Sequence, residues 1–181
     1  MSERPAASRS VDTALRAVVR EVEAHVAEQG WDQPAHLYAL VPTAELIAAE
    51  PELAARLGLD AADDAGSFTP IEQEVPTDRS LEEVLTTILW PPTVVGCAAV
   101  VERLVLPPGA DAALPDDAEQ ALAVAAEHPD RHDVRMAVAV TRDGRTHCVL
   151  RLRGHDKDAD VLDGVDLVPA LVTLLAETLT E

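Results

Sequence analysis

The stretch DVRMAVAVTRDGRTHCVLRLR, Asp133 to Arg153, carries the strongest local pattern in the chain, and the other segments read as elements packed around it. Val134, Met136, Val138 and Val140 alternate with Arg135, Ala137, Ala139 and Thr141, the period-2 pattern of a strand. Cys148, Leu150 and Leu152 alternate in the same way with His147, Val149, Arg151 and Arg153. Between the two runs, Arg142-Asp143-Gly144 turns the chain. A two-residue Asp-Gly turn would pair Val138 with Val149 and Met136 with Arg151, leaving each face half charged. A three-residue loop with Gly144 left-handed pairs Val138 with Cys148 and Met136 with Leu150 instead. A slip of one residue exchanges the faces of a whole strand, and burying two arginines costs far more than a change of turn type. The three-residue loop is therefore expected, with Val134, Met136, Val138, Val140, Cys148, Leu150 and Leu152 buried on one face.

The other face of that hairpin sets Arg135 opposite Arg151 and Ala139 opposite His147, with Arg153 near Asp133. Six of the thirteen arginines fall between Arg131 and Arg153, in a chain of formal net charge -19. Facing arginines repel unless an anion or carboxylates lie between them. One reading is that acidic helix faces neutralise them. The other is a site for a phosphate or carboxylate, which the planar fork of arginine donors recognises. Its ligands would be Arg135, Arg151, Arg153 and His147. His155 would join them if the strand extends, because it continues the two-residue spacing of Arg151 and Arg153.

A chain of 181 residues, 48% hydrophobic, suits one domain with a sizeable core. The only aromatic residues besides histidine are Trp31, Tyr38, Phe68 and Trp90, so alanine, valine and leucine must build that core. The acidity argues against nucleic acid or an anionic membrane as partner of the bulk surface. The start, MSERPAASRS, lacks the apolar segment of a signal peptide, and no apolar run reaches the length of a membrane span. Cys97 and Cys148 both sit inside apolar strand patterns, as buried thiols of a reducing compartment do. A cytoplasmic location is expected.

Residues 1–10 are expected as a disordered tail and 11–181 as a single domain. Val11, Leu15, Val18, Val22 and Val26 have helical spacing up to Gly30. Trp31 to Pro34 is a connector, with Trp31 plugging the domain edge. His36–Val41 suits a strand. Thr43 is expected to cap a helix through Leu57, broken at Pro51 and closed by Gly58. Residues 60–67 suit a polar loop and Phe68–Val75 an edge strand. Ser80 and Glu83 have capping-box spacing and start a helix to Trp90, where Trp90-Pro91-Pro92 stops it and Trp90 packs as a plug. Thr93–Leu106 is apolar on both faces apart from Thr93, Glu102 and Arg103, as a covered central strand, or a long one bent at Gly96, would be. Asp116 is expected to cap an alanine-rich helix ending at His128-Pro129. After the hairpin, 155–165 reads as a loop, and Asp166 as the cap of a last helix with Pro169 in its first turn. The sum is an α+β domain. It has a mixed, largely antiparallel sheet of about five strands, a C-terminal hairpin, and helices packed on the sheet.

Chemical motifs are sparse. His147 and Cys148 are neighbours in a strand and point to opposite faces, so they form no dyad. Asp156, Asp158 and Asp160 have the spacing that opens a calcium loop, but Val161 stands where glycine is needed and Leu167 where glutamate is needed. His155-Asp156 would need His128 and His132 to converge on it to form a metal site. GxSxG, HExxH, CxxC and phosphate-binding glycine motifs are all missing from the sequence. No catalytic residue, metal or cofactor is assigned.

Several blocks resemble an uncharacterised family of acidic actinobacterial proteins: HVAEQGWDQP (His25–Pro34), WPPTVVGCAAVVERLVLPP (Trp90–Pro108), DVRMAVAVTRDG (Asp133–Gly144), LRLRGHD (Leu150–Asp156) and DLVPAL (Asp166–Leu171). The resemblance supports a cytoplasmic location and implies no activity or site residue. The leading expectation is a non-enzymatic cytoplasmic protein acting through a protein partner or a homo-oligomer. The alternative is a binder or enzyme for a small anion on the arginine face.

Overall fold

The computed structural model describes residues 6–60 and 66–180. Its elements in chain order are α1 (Ala6–Ala27), β1 (His36–Pro42), α2 (Thr43–Ala49), α3 (Pro51–Arg56), β2 (Phe68–Gln73), α4 (Leu81–Leu85), β3 (Gly96–Val105), α5 (Ala118–Glu127), β4 (His132–Thr141), β5 (Thr146–Leu152), β6 (Leu162–Gly164) and α6 (Pro169–Glu177). The strands form one six-stranded sheet in the order β2-β1-β3-β4-β5-β6. Every neighbouring pair is antiparallel. The fold is thus a single α+β domain, with a sixth strand beyond the five expected. The addition is β6, three residues inside the stretch read as a loop.

The core lies on both sides of the sheet. Strand periodicity sends Leu37, Ala39, Cys97, Ala99, Val101, Val138, Val140 and Cys148 to one face. There they meet Leu81 and Leu85 of α4, Leu171 and Leu175 of α6, Trp90 and Leu179. The other face presents Tyr38, Leu40, Ala98, Val100, Ala137, Ala139 and Val149 to Leu15, Val18, Val19, Val22 and Val26 of α1. Each of those α1 side chains contributes about 1.5–3 kcal/mol relative to exposure. Three alanines, Ala98, Ala137 and Ala139, leave room for the helix to sit close to the sheet. Trp90 packs as expected and donates from Nε1 to the Thr178 hydroxyl at 2.9 Å.

The hairpin has the expected register, with Val138 opposite Cys148, Met136 opposite Leu150 and Arg135 opposite Arg151. Gly144 is left-handed at φ 81°. The physical reason differs from the expected one, because both arginines are buried all the same. The three-residue loop places both on the α1 face, where carboxylates await them. The two-residue turn would send Arg151 into the apolar layer under α6. Of the seven residues expected buried, Met136, Leu150 and Leu152 are only partly so.

Several local expectations are corrected. Ala6–Ser10, placed in the tail, are helical, while residues 1–5 lie outside the described residues, as do 61–65 of the expected polar loop. Thr43 does not cap α2. It is the first helical residue, and its buried hydroxyl is 2.9 Å from that of Thr69. The Ser80–Glu83 capping box is formed, but α4 stops at Leu85 instead of Trp90. The hydroxyls of Thr86 and Thr87 donate back to Glu83 O and Val84 O, both at 2.8 Å, and so satisfy the end of the helix. Asp117, not Asp116, caps α5, accepting from Gln120 N at 2.9 Å. Asp166 lies too far ahead of α6, which begins with Pro169 after Val168 and has no side-chain cap.

The two edges are blunt. Pro70 interrupts the donors of β2, and β6 is three residues long. No helix among the described residues is long and apolar enough to cross a membrane.

Candidate functional site

Arg135 on β4 and Arg151 on β5 face each other beneath α1. Their side chains are 1% and 4% exposed. Helical spacing sets Glu23 in the inward stripe of α1, four residues after Val19 and three before Val26, and it is 2% exposed. Arg151 grips it with two hydrogen bonds, Nε to Oε1 at 2.6 Å and Nη2 to Oε2 at 2.9 Å. Arg151 also donates to the Asp156 carbonyl at 2.8 Å and the Asp158 carboxylate at 3.1 Å. These bonds, above all those to Glu23, raise its pKa against the opposing effect of burial. Arg135 Nη1 is 3.7 Å from Glu23, and its Nη2 donates to Glu102 on β3 at 2.9 Å and to the Gly30 carbonyl.

The network also ties down the connector after α1. Glu102 Oε2 accepts the backbone N–H groups of Asp32 and Gln33 at 2.8 and 3.1 Å. Gly30, in the turn after α1, is left-handed at φ 85°, and Asp32 is left-handed at φ 65°. Trp31 lies under the Arg135 guanidinium, 4.5 Å from its ring centroid, with Arg153 at 5.6 Å. Its indole N–H donates to Asp156 at 3.0 Å. Arg153 forms a two-pronged pair with Asp32, both bonds at 3.1 Å, which holds the Asp32 carboxyl below its usual range.

A model of the PPA1309-like protein family matches residues 15–180, from the first buried leucine of α1 to the end of the described chain. The chain belongs to this family. No curated protein and no solved structure matches it. The PPA1309-like family is uncharacterised, with no known function, so no site residue is carried over from it.

In this PPA1309-like chain the five residues expected as anion ligands do not converge. Arg135 and Arg151 are buried with carboxylates, and Arg153 is exposed on Asp32. Strand β5 ends at Leu152 and the chain turns at left-handed Gly154, so His155 leaves the line of Arg151 and Arg153. His147 lies four residues along β5 from Arg151. Its Nε2 is 4.0 Å from Asp163 and has no hydrogen-bond partner among the described residues. Burial lowers its pKa, helped by Arg16 and Arg20 and opposed by Asp163. Both arginines donate to Asp163 Oδ2 at 2.8 Å, which lowers that carboxyl's pKa.

The remaining candidates hold structure together. Cys97 and Cys148 are free and buried on the α6 face. Burial pushes the Cys97 thiol up to about 11, against hydrogen bonds from Thr178 and Trp90. Asp156, Asp158 and Asp163 are engaged by Trp31, Arg151 and the two arginines of α1. No group of three or more His, Cys, Asp or Glu among the described residues is placed to hold a metal ion. A cavity of about 520 Å³ at the hairpin turn is lined by Phe68, Val95 and Arg142. The Arg142 guanidinium is engaged there by the carbonyls of Val94 at 2.8 Å, Trp90 at 3.0 Å, Pro91 at 3.2 Å, and Leu179.

One element stands apart. Of α5 only Ala125 is buried, and Leu122 and Val124 are 71% and 44% exposed. Asp116, Asp117, Glu119, Glu127 and Asp130 are exposed around this apolar helix. The nearby Arg131 folds back onto the Ala126 carbonyl.

Proposed function

We propose that the chain is a non-enzymatic, cytoplasmic docking protein, and that α5 is the element it presents to a protein partner. The observation that carries this reading is Leu122 on a helix that the sheet leaves uncovered. An uncovered helix with an exposed leucine fits an apolar groove of a partner. The acidic rim favours a partner whose groove is edged with lysine and arginine. A second copy would set carboxylates against carboxylates. The net charge of -19 favours such a protein over nucleic acid or an anionic membrane. Two free, buried thiols support the cytoplasmic part. The anion reading of the arginine face has weaker support, because Glu23, Glu102 and Asp158 already engage its donors apart from Arg135 Nε, which is buried without a hydrogen-bond partner among the described residues.

The test places a photo-crosslinking amino acid at Leu122 in native cells, with the same group at exposed Glu177 as control. The expected product at Leu122 is one discrete protein with a basic-edged groove. Its purified form should bind the wild-type chain at least tenfold more tightly than Leu122→Asp, with the variant's melting temperature unchanged. Crosslinks to a second copy alone, or equal binding by the variant, would refute the reading.

A further inference from the structure

A second cleft, of about 510 Å³, lies on the far flank of α1, where the helix passes over β1 and β2. Glu21, His25 and Glu28 of α1 border it, with Pro70 and Glu72 of β2, and Tyr38 of β1 forms part of its wall. Tyr38 is 4% exposed, yet its hydroxyl has no hydrogen-bond partner among the described residues. Two residues away on the same strand face, His36 stacks on the Tyr38 ring at 6.4 Å between centroids. Its Nδ1 is 2.7 Å from the Glu72 carboxylate, and its Nε2 is likewise buried without a partner. A carboxylate only accepts, so Nδ1 carries a hydrogen. The phenol is held in its neutral form, because burial, and then Glu72, push it up to about 12.

An unpartnered phenol oxygen in the wall, beneath a rim of Glu21, Glu28 and Glu72 and beside Val22 and Pro70, suits a ligand that donates N–H groups and carries a carbon chain. We infer that this cleft binds a small aliphatic amine of the diamine or polyamine class, with one ammonium between Glu72 and the Tyr38 hydroxyl and a second near Glu21 and Glu28. A bare divalent ion fits less well, since no three ligating side chains converge among the described residues.

The inference is independent of α5 and is tested on the full chain by isothermal titration with 1,5-diaminopentane at fixed ionic strength. One-site binding is expected, with no competition from pentane-1,5-diol, which lacks the charge, or from magnesium chloride. Tyr38→Phe and Glu72→Gln should each weaken binding at least tenfold, while Asp117→Asn and Leu122→Asp leave it unchanged. Tyr38→Phe removes one unpartnered oxygen and nothing else, and its melting curve reports whether it folds. No saturable binding would overturn the inference. So would displacement by magnesium, an equal loss in Asp117→Asn, or unchanged binding in Tyr38→Phe, since each marks general attraction of counterions. A lysine-containing peptide that binds as tightly as the diamine would replace the small-molecule ligand with a protein segment and overturn it too.

Discussion

Replacing Arg151 with alanine tests whether the arginine face is filled by the protein itself. The side chain holds both oxygens of Glu23, at 2.6 and 2.9 Å, the Asp156 carbonyl at 2.8 Å and the Asp158 carboxylate at 3.1 Å. Asp158 is 90% exposed, so that arm contributes about 0–1 kcal/mol. The Glu23 arm decides the outcome. Removing one partner of a buried ion pair costs about 3–5 kcal/mol, because the other charge stays behind without water. Arg135 Nη1, already 3.7 Å from Glu23, recovers part of this. The expected loss therefore lies near the lower end, about 3 kcal/mol. In a domain of this size that is a fall in melting temperature of roughly 6–12 °C.

Urea unfolding at pH 7, followed by far-UV circular dichroism, measures the loss directly. Glu23→Ala and the double variant complete a cycle whose coupling should be about 2 kcal/mol. Sulfate stabilises compact states by exclusion from their surface, so it should raise wild type and Arg151→Ala alike. Three results would refute the reasoning: a loss under about 1 kcal/mol, additive single effects, or sulfate stabilising the wild type alone. The last would return the arginines to an anion site.

Gly96→Ala should destabilise by about 1–3 kcal/mol, because its Cβ would lie 2.6 Å from the Val140 carbonyl oxygen, and backbone has to move. Gly144→Ala, with open space around the Cβ but φ at 81°, should lose about 1–2 kcal/mol; denaturant midpoints of the two compare crowding with backbone strain. The His147 pKa is lowered in the fold from its ordinary 6.5. Its contribution to stability is therefore complete above pH 6.5 and lost as pH falls through the folded value. His147→Gln should flatten that part of the pH–stability curve, and an unchanged slope between pH 7 and 5 would contradict the assignment. Both cysteines should react with a thiol reagent only as fast as the chain unfolds; immediate labelling of Cys97 in the native state would show that its environment is misread.

Period-2 alternation made the hairpin legible, including its turn, because one register alone keeps the arginines together on one face. The covered central strand β3 was legible for a related reason: it is apolar on both faces at Cys97, Ala98, Ala99, Val100 and Val101. Caps were legible only in part: Ser80 caps α4 and Asp117 replaces its neighbour Asp116, a choice decided by backbone angles, while α2 and α6 have no side-chain cap where Thr43 and Asp166 were expected. β6 was not legible. Three residues with Leu162 exposed carry no periodicity, and the strand exists because β5 offers it an edge. The burial of the arginines was hidden by distance in sequence. Glu23 lies 128 residues before Arg151, and only its place among Val19, Val22 and Val26 marks it as inward-facing. The uncovered state of α5 left no mark in its alanine-rich sequence, which suits a buried helix equally well.

The buried charges also explain why α1 has one seat on the sheet. A valine stripe over a floor of alanines, Ala98, Ala137 and Ala139, is smooth, and apolar contact alone would tolerate a shifted helix nearly as well. Glu23 removes that freedom. Shifting α1 along its axis would draw the carboxylate away from both arginines and leave Glu23 buried without a partner. The connector is bound into the same constraint, since Gly30 O receives Arg135 and the N–H groups of Asp32 and Gln33 meet Glu102. With α1 held in one place, its outer flank has a fixed position too. Glu21, His25 and Glu28 therefore stand at set places above Tyr38, and the cleft between them is a property of the fold and not of a loose helix.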